Sequence, residues 1–447
     1  MLAINHEALA PSALHAALLE ARRATDSLFD IVRADSLYER PIPERHRIIF
    51  YVGHLEAFDR NLLKGRLFSL PDSFPDLDRL FAFGIDPVGG GLPTDQPSDW
   101  PPLERVRQYV RQVRDELDEG LALVGENPRA GAEFSSALLL NVAIEHRLMH
   151  AETLAYMLHR LPYDGKNAPV KVASLSTVPV HPAMMEIPGG LAALGLPQNG
   201  DTFGWDNEYQ KHAVEVPAFT IDRYKTTNAE YLEFINAGGY DRRELWSAAD
   251  WAWKESNRIS HPAFWEKYGD SAEWFWKGMF APIPLPLDWP VYVSHAEASA
   301  YARWVGKSLP TEAQWQRAAY GSTDGLAYRY PWGGQSLDAS RGNFDFANWD
   351  PVSVAAHPAG ASAFRVEDIL GNGWEWTSSI FAPFEGFKPF PFYPGYSADF
   401  FDGKHYVIKG ASARTAACML RPSFRNWFQP HYQYVYAGFR CVSNPLA

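Results

Sequence analysis

The residues best able to do chemistry are His146 and His150, in His146-Arg-Leu-Met-His150-Ala-Glu152. On a helix, side chains four apart share a face, offset by about 40°, so both imidazoles can reach one ion. Glu152 falls on roughly the opposite side, which suits a role behind the ligands or between helices better than a place on the ion. With 14 His in 447 residues, chance yields roughly 0.4 such pairs, and two histidines on a half-buried helix face explain the spacing equally well. A third histidine shifts that balance. His54 stands in Ile48-Ile-Phe-Tyr-Val-Gly-His54-Leu55, among apolar residues where a lone imidazole is costly to bury. Three histidines from two helices can hold a first-row metal and leave positions open. The set has no Cys, unlike most closed structural zinc sites, and imidazole ligation leaves Zn, Fe, Cu and Ni open.

Such ligands need long helices to carry them. Apolar residues recur at three- and four-residue spacing over residues 12–28, 43–63, 103–123 and 131–160, which predicts an antiparallel four-helix bundle in residues 1–165. The Pro/Gly-rich connection at residues 86–102 is long enough to reach over a site. Residues 166–204 are rich in Pro, Gly, Ser and Val without a helical period and read as a linker. In residues 205–447, strand-like runs (213–224 and 405–409) accompany helical patterns at 228–236 and 295–304. A third helix is expected after Leu309, where Pro310-Thr311-Glu312 gives a start signal. Gly, Pro and aromatic residues dominate after Pro331. The fold class is α+β, a helical bundle followed by a mixed domain rich in loops.

Composition narrows the function classes. The chain is 46% hydrophobic and 21% charged, so wholesale disorder is excluded. Its 16 Trp, 21 Tyr and 27 Phe exceed what a core requires. Two Cys cannot build a disulfide framework and fit a reducing compartment. The first residues lack the basic and apolar regions of a signal peptide, and no apolar run approaches a membrane span. A cytoplasmic protein without a membrane partner is expected. The net charge of −12 argues against nucleic acid, because phosphate contacts need basic surface.

At this point the residues resemble known families. A His in the second helix followed by H-x-x-x-H-x-E in the fourth looks like a DinB-type bundle. The later motifs are similar to the formylglycine-generating-enzyme (C-type-lectin-like) fold. They are Phe219-Thr-Ile-Asp-Arg-Tyr-Lys-Thr-Thr-Asn228, Gly306-Lys-Ser-Leu-Pro-Thr-Glu-Ala-Gln-Trp315, Tyr330-Pro-Trp-Gly333, Leu370-Gly-Asn-Gly-Trp-Glu-Trp-Thr377 and Ala437-Gly-Phe-Arg440. The pairing of the two domains resembles the non-haem iron sulfoxide synthases of ergothioneine biosynthesis and their selenium-using relative, selenoneine synthase. The resemblance implies Fe(II) held by His54, His146 and His150, with O2 as co-substrate. The chemistry it implies joins a sulfur or selenium donor to C2 of the imidazole of hercynine (trimethylhistidine). That fold often holds a structural Ca2+, for which Asn372 and Glu375 are the candidates. Formylglycine-generating enzymes carry a close cysteine pair for copper. Here Cys418 and Cys441 lie 23 residues apart, so that oxidase chemistry is not expected and both read as small buried apolar residues.

The segment Arg421-Pro-Ser-Phe-Arg-Asn-Trp-Phe-Gln-Pro430 matches the family's substrate loop, which carries hercynine-binding roles to Asn426 and Trp427. An indole face suits a quaternary ammonium. Members that take γ-glutamylcysteine have Asp and Arg where this chain has Phe428 and Tyr432. An apolar ring and a phenol cannot replace those ion pairs and suit an uncharged, hydroxylated donor such as a sugar. A selenosugar is therefore the favoured donor, which points to selenoneine biosynthesis through a selenoxide. The alternative is cysteine or γ-glutamylcysteine, as in ergothioneine synthases. More distant readings are a non-catalytic ligand-binding module and a zinc-dependent DinB-type thiol transferase. Met149 can line an apolar pocket beside the metal. The family also uses a tyrosine near the iron as proton or electron donor, and the loop at 381–401 offers Tyr393 and Tyr396.

Overall fold

The computed structural model describes residues 11–71, 73–82, 92–124, 134–168, 178–198, 202–269, 273–325 and 327–443. The chain divides into two compact units, Met1–Val172 with Asp201–Phe203, and Ala173–Gly200 with Gly204–Ala447.

The first unit is helical: α1 (Pro11–Phe29), α2 (Ile48–Leu63), the single-turn α3 (Pro75–Leu80), α4 (Leu103–Val124) and α5 (Ser136–Arg160). The second and fifth helices are buried on nearly every side, whereas α1 and α4 each bury one stripe at the expected spacing. On α4 these are Val106, Tyr109, Val113, Leu117 and Leu121, and on α1 Leu14, Leu18, Ala21 and Leu28. α1 packs on α5, and α2 packs on both α4 and α5. The second helix starts at Ile48 rather than at 43, because Pro41 and Pro43 bias the residues before them towards extended backbone. Ser135 caps α5 by accepting from the Leu138 amide at 3.1 Å; the expected start at 131 lies outside the described residues, as does the first part of the 86–102 connection. None of the described helices is long and apolar enough to cross a membrane.

The second unit begins inside the segment read as a linker. β1 (Met184–Ile187) and β2 (Gly190–Leu194) lie there, and β3 (His212–Val216) and β4 (Phe219–Asp222) follow. β1 pairs with β4 and β2 with β3, both antiparallel. Strands of four or five residues flanked by Pro and Gly carry too little periodicity to be recognised without their partners. The single run expected at 213–224 is two strands in different sheets, divided at Pro217, which has no amide to donate.

Next come α6 (Asn228–Asn236), α7 (Ala248–Asn257), the small sheet of β5 (Trp265–Glu266), β6 (Phe275–Lys277) and β7 (Pro282–Pro284), then α8 (His295–Trp304) and α9 (Glu312–Tyr320). The main sheet joins β8 (Gly373–Ile380), β9 (Tyr406–Ala411), β10 (Asn426–Phe428) and β11 (Ala437–Gly438) in the order β10-β9-β8-β11, and β12 (Val442–Ser443) closes the β1–β4 sheet. Trp315, Phe219, Ile221, Val366, Ile369 and Val442 form one core cluster. Three of the sequence motifs lock together beside it. Arg440 forks onto the Glu375 carboxylate at 2.7 and 2.8 Å, and the Trp315 indole donates to the same group at 2.9 Å.

Candidate metal centre and substrate surface

The sequence places His54 in the middle of α2 and His146 and His150 one turn apart on α5. Folding brings the three together: one ligand atom from each lies within 4.8 Å of the others, and all three residues are buried. His146 Nε2 and His150 Nε2 are 3.1 Å apart, a separation at which two lone pairs repel unless a proton or a cation lies between them. His54 Nδ1 donates to the Phe81 carbonyl at 2.7 Å. That bond fixes the tautomer, so Nε2 carries the lone pair, and Nε2 is buried with no hydrogen-bond partner. A buried orphan acceptor costs about 1–3 kcal/mol, which a bound metal relieves. The donor set fits a first-row transition metal.

The protein keeps these imidazoles neutral. Burial pushes His54 down to about 4, only partly opposed by the Phe81 hydrogen bond. Burial also drives His146 and His150 well below their ordinary value, with the neighbouring imidazoles and the Arg147 guanidinium adding to the effect. Rings hold them in place: Phe50 stacks on His54 at 4.7 Å and Phe58 on His146 at 3.4 Å. Gly53 matters for the same reason. A Cβ there would sit 2.4 Å from the Phe81 ring, displacing the residue whose carbonyl orients His54. The described part of the 86–102 connection does reach this region. Trp100 packs edge-on against Phe50 at 5.9 Å and donates its indole N–H to Asp95 at 2.7 Å.

Behind the histidines lies a feature that the sequence reading missed. Arg147, next to His146, is fully buried and donates to Glu56 at 2.9 and 3.0 Å and to Asp59 at 2.6 Å. Arg114 on α4 meets Glu56 at 2.7 Å and Asp26 on α1 at 2.8 Å. Burial opposes ionisation of Glu56, yet Arg147 and Arg114 outweigh it and hold the carboxylate below its ordinary range. Burial with Glu56 alongside raises Asp59. The signal was present as charges at positions 56, 59, 60 and 147 inside apolar helices. Glu152 is buried on α5 and stands outside the three-histidine set, and Met149 is half-buried.

In the second unit the predicted residues fall on two faces of one strand. Trp427 stacks on Phe381 at 4.1 Å and meets Tyr396 and Phe400, each at 5.5 Å. Tyr396 in turn stacks on Trp205 at 3.9 Å, and Tyr393 lies 5.5 Å from Tyr396. These rings form one cluster. Asn426 and Phe428, its neighbours on β10, point to the opposite face because strand side chains alternate. The Asn426 Oδ1 accepts from the Trp427 amide at 2.8 Å. Phe428 and Tyr432 stack on each other at 5.1 Å, with ring planes within 10°. The expected calcium ligands are otherwise engaged. Glu375 is held by Arg440 and Trp315, and Asn372 bonds the Val352 backbone on both sides of its amide, at 2.9 and 3.0 Å. Cys418 and Cys441 are free and buried.

The sulfatase-modifying factor enzyme 1-like domain family matches residues 171–445, and the DinB superfamily matches residues 17–154. Hercynine oxygenase of Mycolicibacterium smegmatis is 35% identical over 379 residues, covering 82% of this chain and 83% of that protein. Hercynine oxygenase of Mycobacterium tuberculosis is 36% identical over 339 residues, with 75% and 77% covered. Ergothioneine biosynthesis protein 1 of Neurospora crassa is 27% identical over 493 residues, spanning 91% of this chain and 55% of that protein.

Proposed function

Because the chain belongs to the family in which a DinB-type unit precedes a sulfatase-modifying-factor-like unit and which includes the hercynine oxygenases, we propose that it is an O2-dependent Fe(II) enzyme acting on hercynine. The observation that carries this reading is the trio of buried, neutral histidines with the His54 lone pair fixed for a metal. A non-catalytic binding module would have no need of such a set. Bound Fe(II) supplies the activation of O2. The remaining work falls to the chain. His54, His146 and His150 hold the metal, the Arg147 network fixes the two helices that carry them, and the surrounding rings keep water out. Glu152 acts from behind the ligands, and Met149 offers an apolar lining.

The second unit supplies recognition. Phe381 covers one face of Trp427, so the other face, with Tyr396 and Phe400, is the place for the trimethylammonium group. β10 is the edge of its sheet, so a ligand on Trp427 can reach round the strand to the Asn426 amide, which offers a donor to the carboxylate. Tyr393 and Tyr396 are the phenols available to pass a proton. For the chalcogen donor we favour a selenosugar, which makes the product a selenoxide with a new C–Se bond at imidazole C2. The support is the Phe428–Tyr432 stack, an apolar platform with a phenol where ion-pairing groups would be needed for an amino-acid thiol. The names of the relatives favour the second reading, a thiol donor and a sulfoxide product, by the same chemistry.

Metal analysis of protein purified without added metal should find iron. O2 uptake should then require hercynine together with a donor, with a selenosugar and cysteine tried side by side. Uptake indifferent to hercynine would overturn the reading, and turnover with cysteine alone would overturn the selenium donor. Tyr393→Phe or Tyr396→Phe should divert O2 chemistry without loss of iron. Wild-type product yield from both variants would remove these tyrosines from the mechanism.

A further inference from the structure

A second polar feature of the C-terminal unit is unused by the metal centre and the Trp427 cluster. His295 opens α8 and is 8% exposed. Its Nε2 is buried without a hydrogen-bond partner. Burial holds the ring down to about 4 and so neutral, and with the proton on Nδ1 this nitrogen presents an acceptor lone pair. Leaving such an atom unsatisfied costs about 1–3 kcal/mol.

The surroundings say what it could accept from. The His295 ring stacks on Tyr406 at 3.7 Å. Tyr406 on β9 is directly opposite Phe428 on β10, and opposed residues share a face of the sheet. Phe428 stacks on Tyr432. The loop that carries Tyr432 is fastened to the first turn of α8, where the Ala296 amide donates to the Pro430 carbonyl at 3.0 Å. In that loop His431 Nε2 donates to Asp250 of α7 at 2.9 Å, and the charges of Asp250 and His431 both act on His295. Three elements thus join one orphan acceptor, an imidazole–carboxylate pair and an aromatic platform. Among the described residues no third metal-ligating group completes a cation site there. Polar groups beside stacked rings match a neutral polyol, whose hydroxyls donate and accept while its C–H faces lie on aromatic rings.

We infer that His295, with the Asp250–His431 pair and the Phe428–Tyr432 stack, forms a subsite for the sugar portion of the donor, with His295 Nε2 accepting a hydroxyl hydrogen. The inference rests on the sugar-donor reading and adds its specificity-determining residue.

The test is calorimetric titration of the full-length, iron-loaded chain with 1-thio-β-D-glucose and its monodeoxy forms. H295F should weaken thioglucose at least tenfold while changing hercynine affinity less than twofold. One deoxy sugar should bind wild type about tenfold more weakly than the parent sugar and lose that difference in H295F. H295Q returns an acceptor oxygen and should recover part of the affinity, which guards against a fold defect in H295F. If H295F, melting like wild type, binds thioglucose within twofold of wild type, the subsite is wrong and the sugar donor stands. If wild type ignores thioglucose and takes cysteine, the donor reading falls and the subsite with it. Uptake of a second metal ion by wild type that H295F abolishes would overturn the subsite in favour of a metal site.

Discussion

The three histidines and the rings around Trp427 are positioned by different means. In the helical unit every ligand sits on regular backbone; rings flank His54 and His146, and to these are added the Phe81 carbonyl for His54 and the Arg147–Glu56–Asp59 network for the helices. In the C-terminal unit Trp427 sits on a three-residue strand, and what holds it is ring on ring, from Phe381 and Tyr396 on to Trp205. A charged network is unforgiving, because removing one member leaves the rest buried and unpaired. An aromatic stack degrades gradually with contact area. The metal side should therefore fail sharply and the recognition side by degrees.

The largest effect should come from the ligands themselves. His54→Ala removes one of three donors and should weaken metal binding at least ~100-fold, about 2.8 kcal/mol at 1.4 kcal/mol per decade. Metal content after dialysis is the readout, and retention of a full equivalent would show that His54 is not a ligand. The substitution deletes a buried orphan nitrogen but also takes the donor from the Phe81 carbonyl, so a melting curve recorded alongside separates loss of metal from loss of fold.

Arg147→Met should act in reverse, on stability first. It strands Asp59 in the core and leaves Glu56 with Arg114 alone, and breaking a buried ion pair costs roughly 3–5 kcal/mol. The melting temperature of the helical unit should fall steeply. A double variant, Arg147→Met with Asp59→Asn, should regain part of that loss, because the stranded charge is removed. An Arg147→Met protein as stable as wild type would mean that the network carries no such load and that the contrast between the two units is false.

How much of this was legible in the sequence follows from the same contrast. A helix converts spacing into geometry, so His146-x-x-x-His150 could be placed on one face, and His54 added, without knowing any partner. Helices 228–236 and 295–304 were readable for that reason too. β1 and β2 were not, because their partners β4 and β3 lie outside the segment. The strand alternation that separates Asn426 from Trp427 could have been applied, but only once residues 426–428 were known to be a strand. The Arg147 network was visible as charges in apolar helices, yet only the fold shows that they meet. His295 and Asp250, 45 positions apart, gave no signal at all.

The smallest effect concerns how the tyrosine loop is held. Next to Trp205, which stacks on Tyr396, Asp206 accepts a hydrogen bond from Ser397. The Asn207 amide donates to the same Ser397 hydroxyl at 3.0 Å. Burial pushes the Asp206 carboxyl up to about 6, although hydrogen bonds from Ser397 and from the Asn207 and Phe390 backbones oppose the rise. The unfolded chain releases this proton near 3.8, so between that pH and about 6 the folded state binds more protons than the unfolded one. Stability from this group is then full below 3.8, declines as pH rises through 6, and levels off. Asp206→Asn removes the titration. The unfolding free energy of the variant minus that of wild type should therefore climb from pH 4.5 to 6.5, by no more than about 3 kcal/mol, from roughly two units at 1.36 kcal/mol each, and stay flat above. Urea unfolding followed by tryptophan fluorescence reads the right unit, since all of the 16 Trp except Trp100 lie there. A difference that is flat across this range would mean that Asp206 is already ionised. The loop carrying Tyr393 and Tyr396 would then be held by charge, and the two units would be less different than their geometry says.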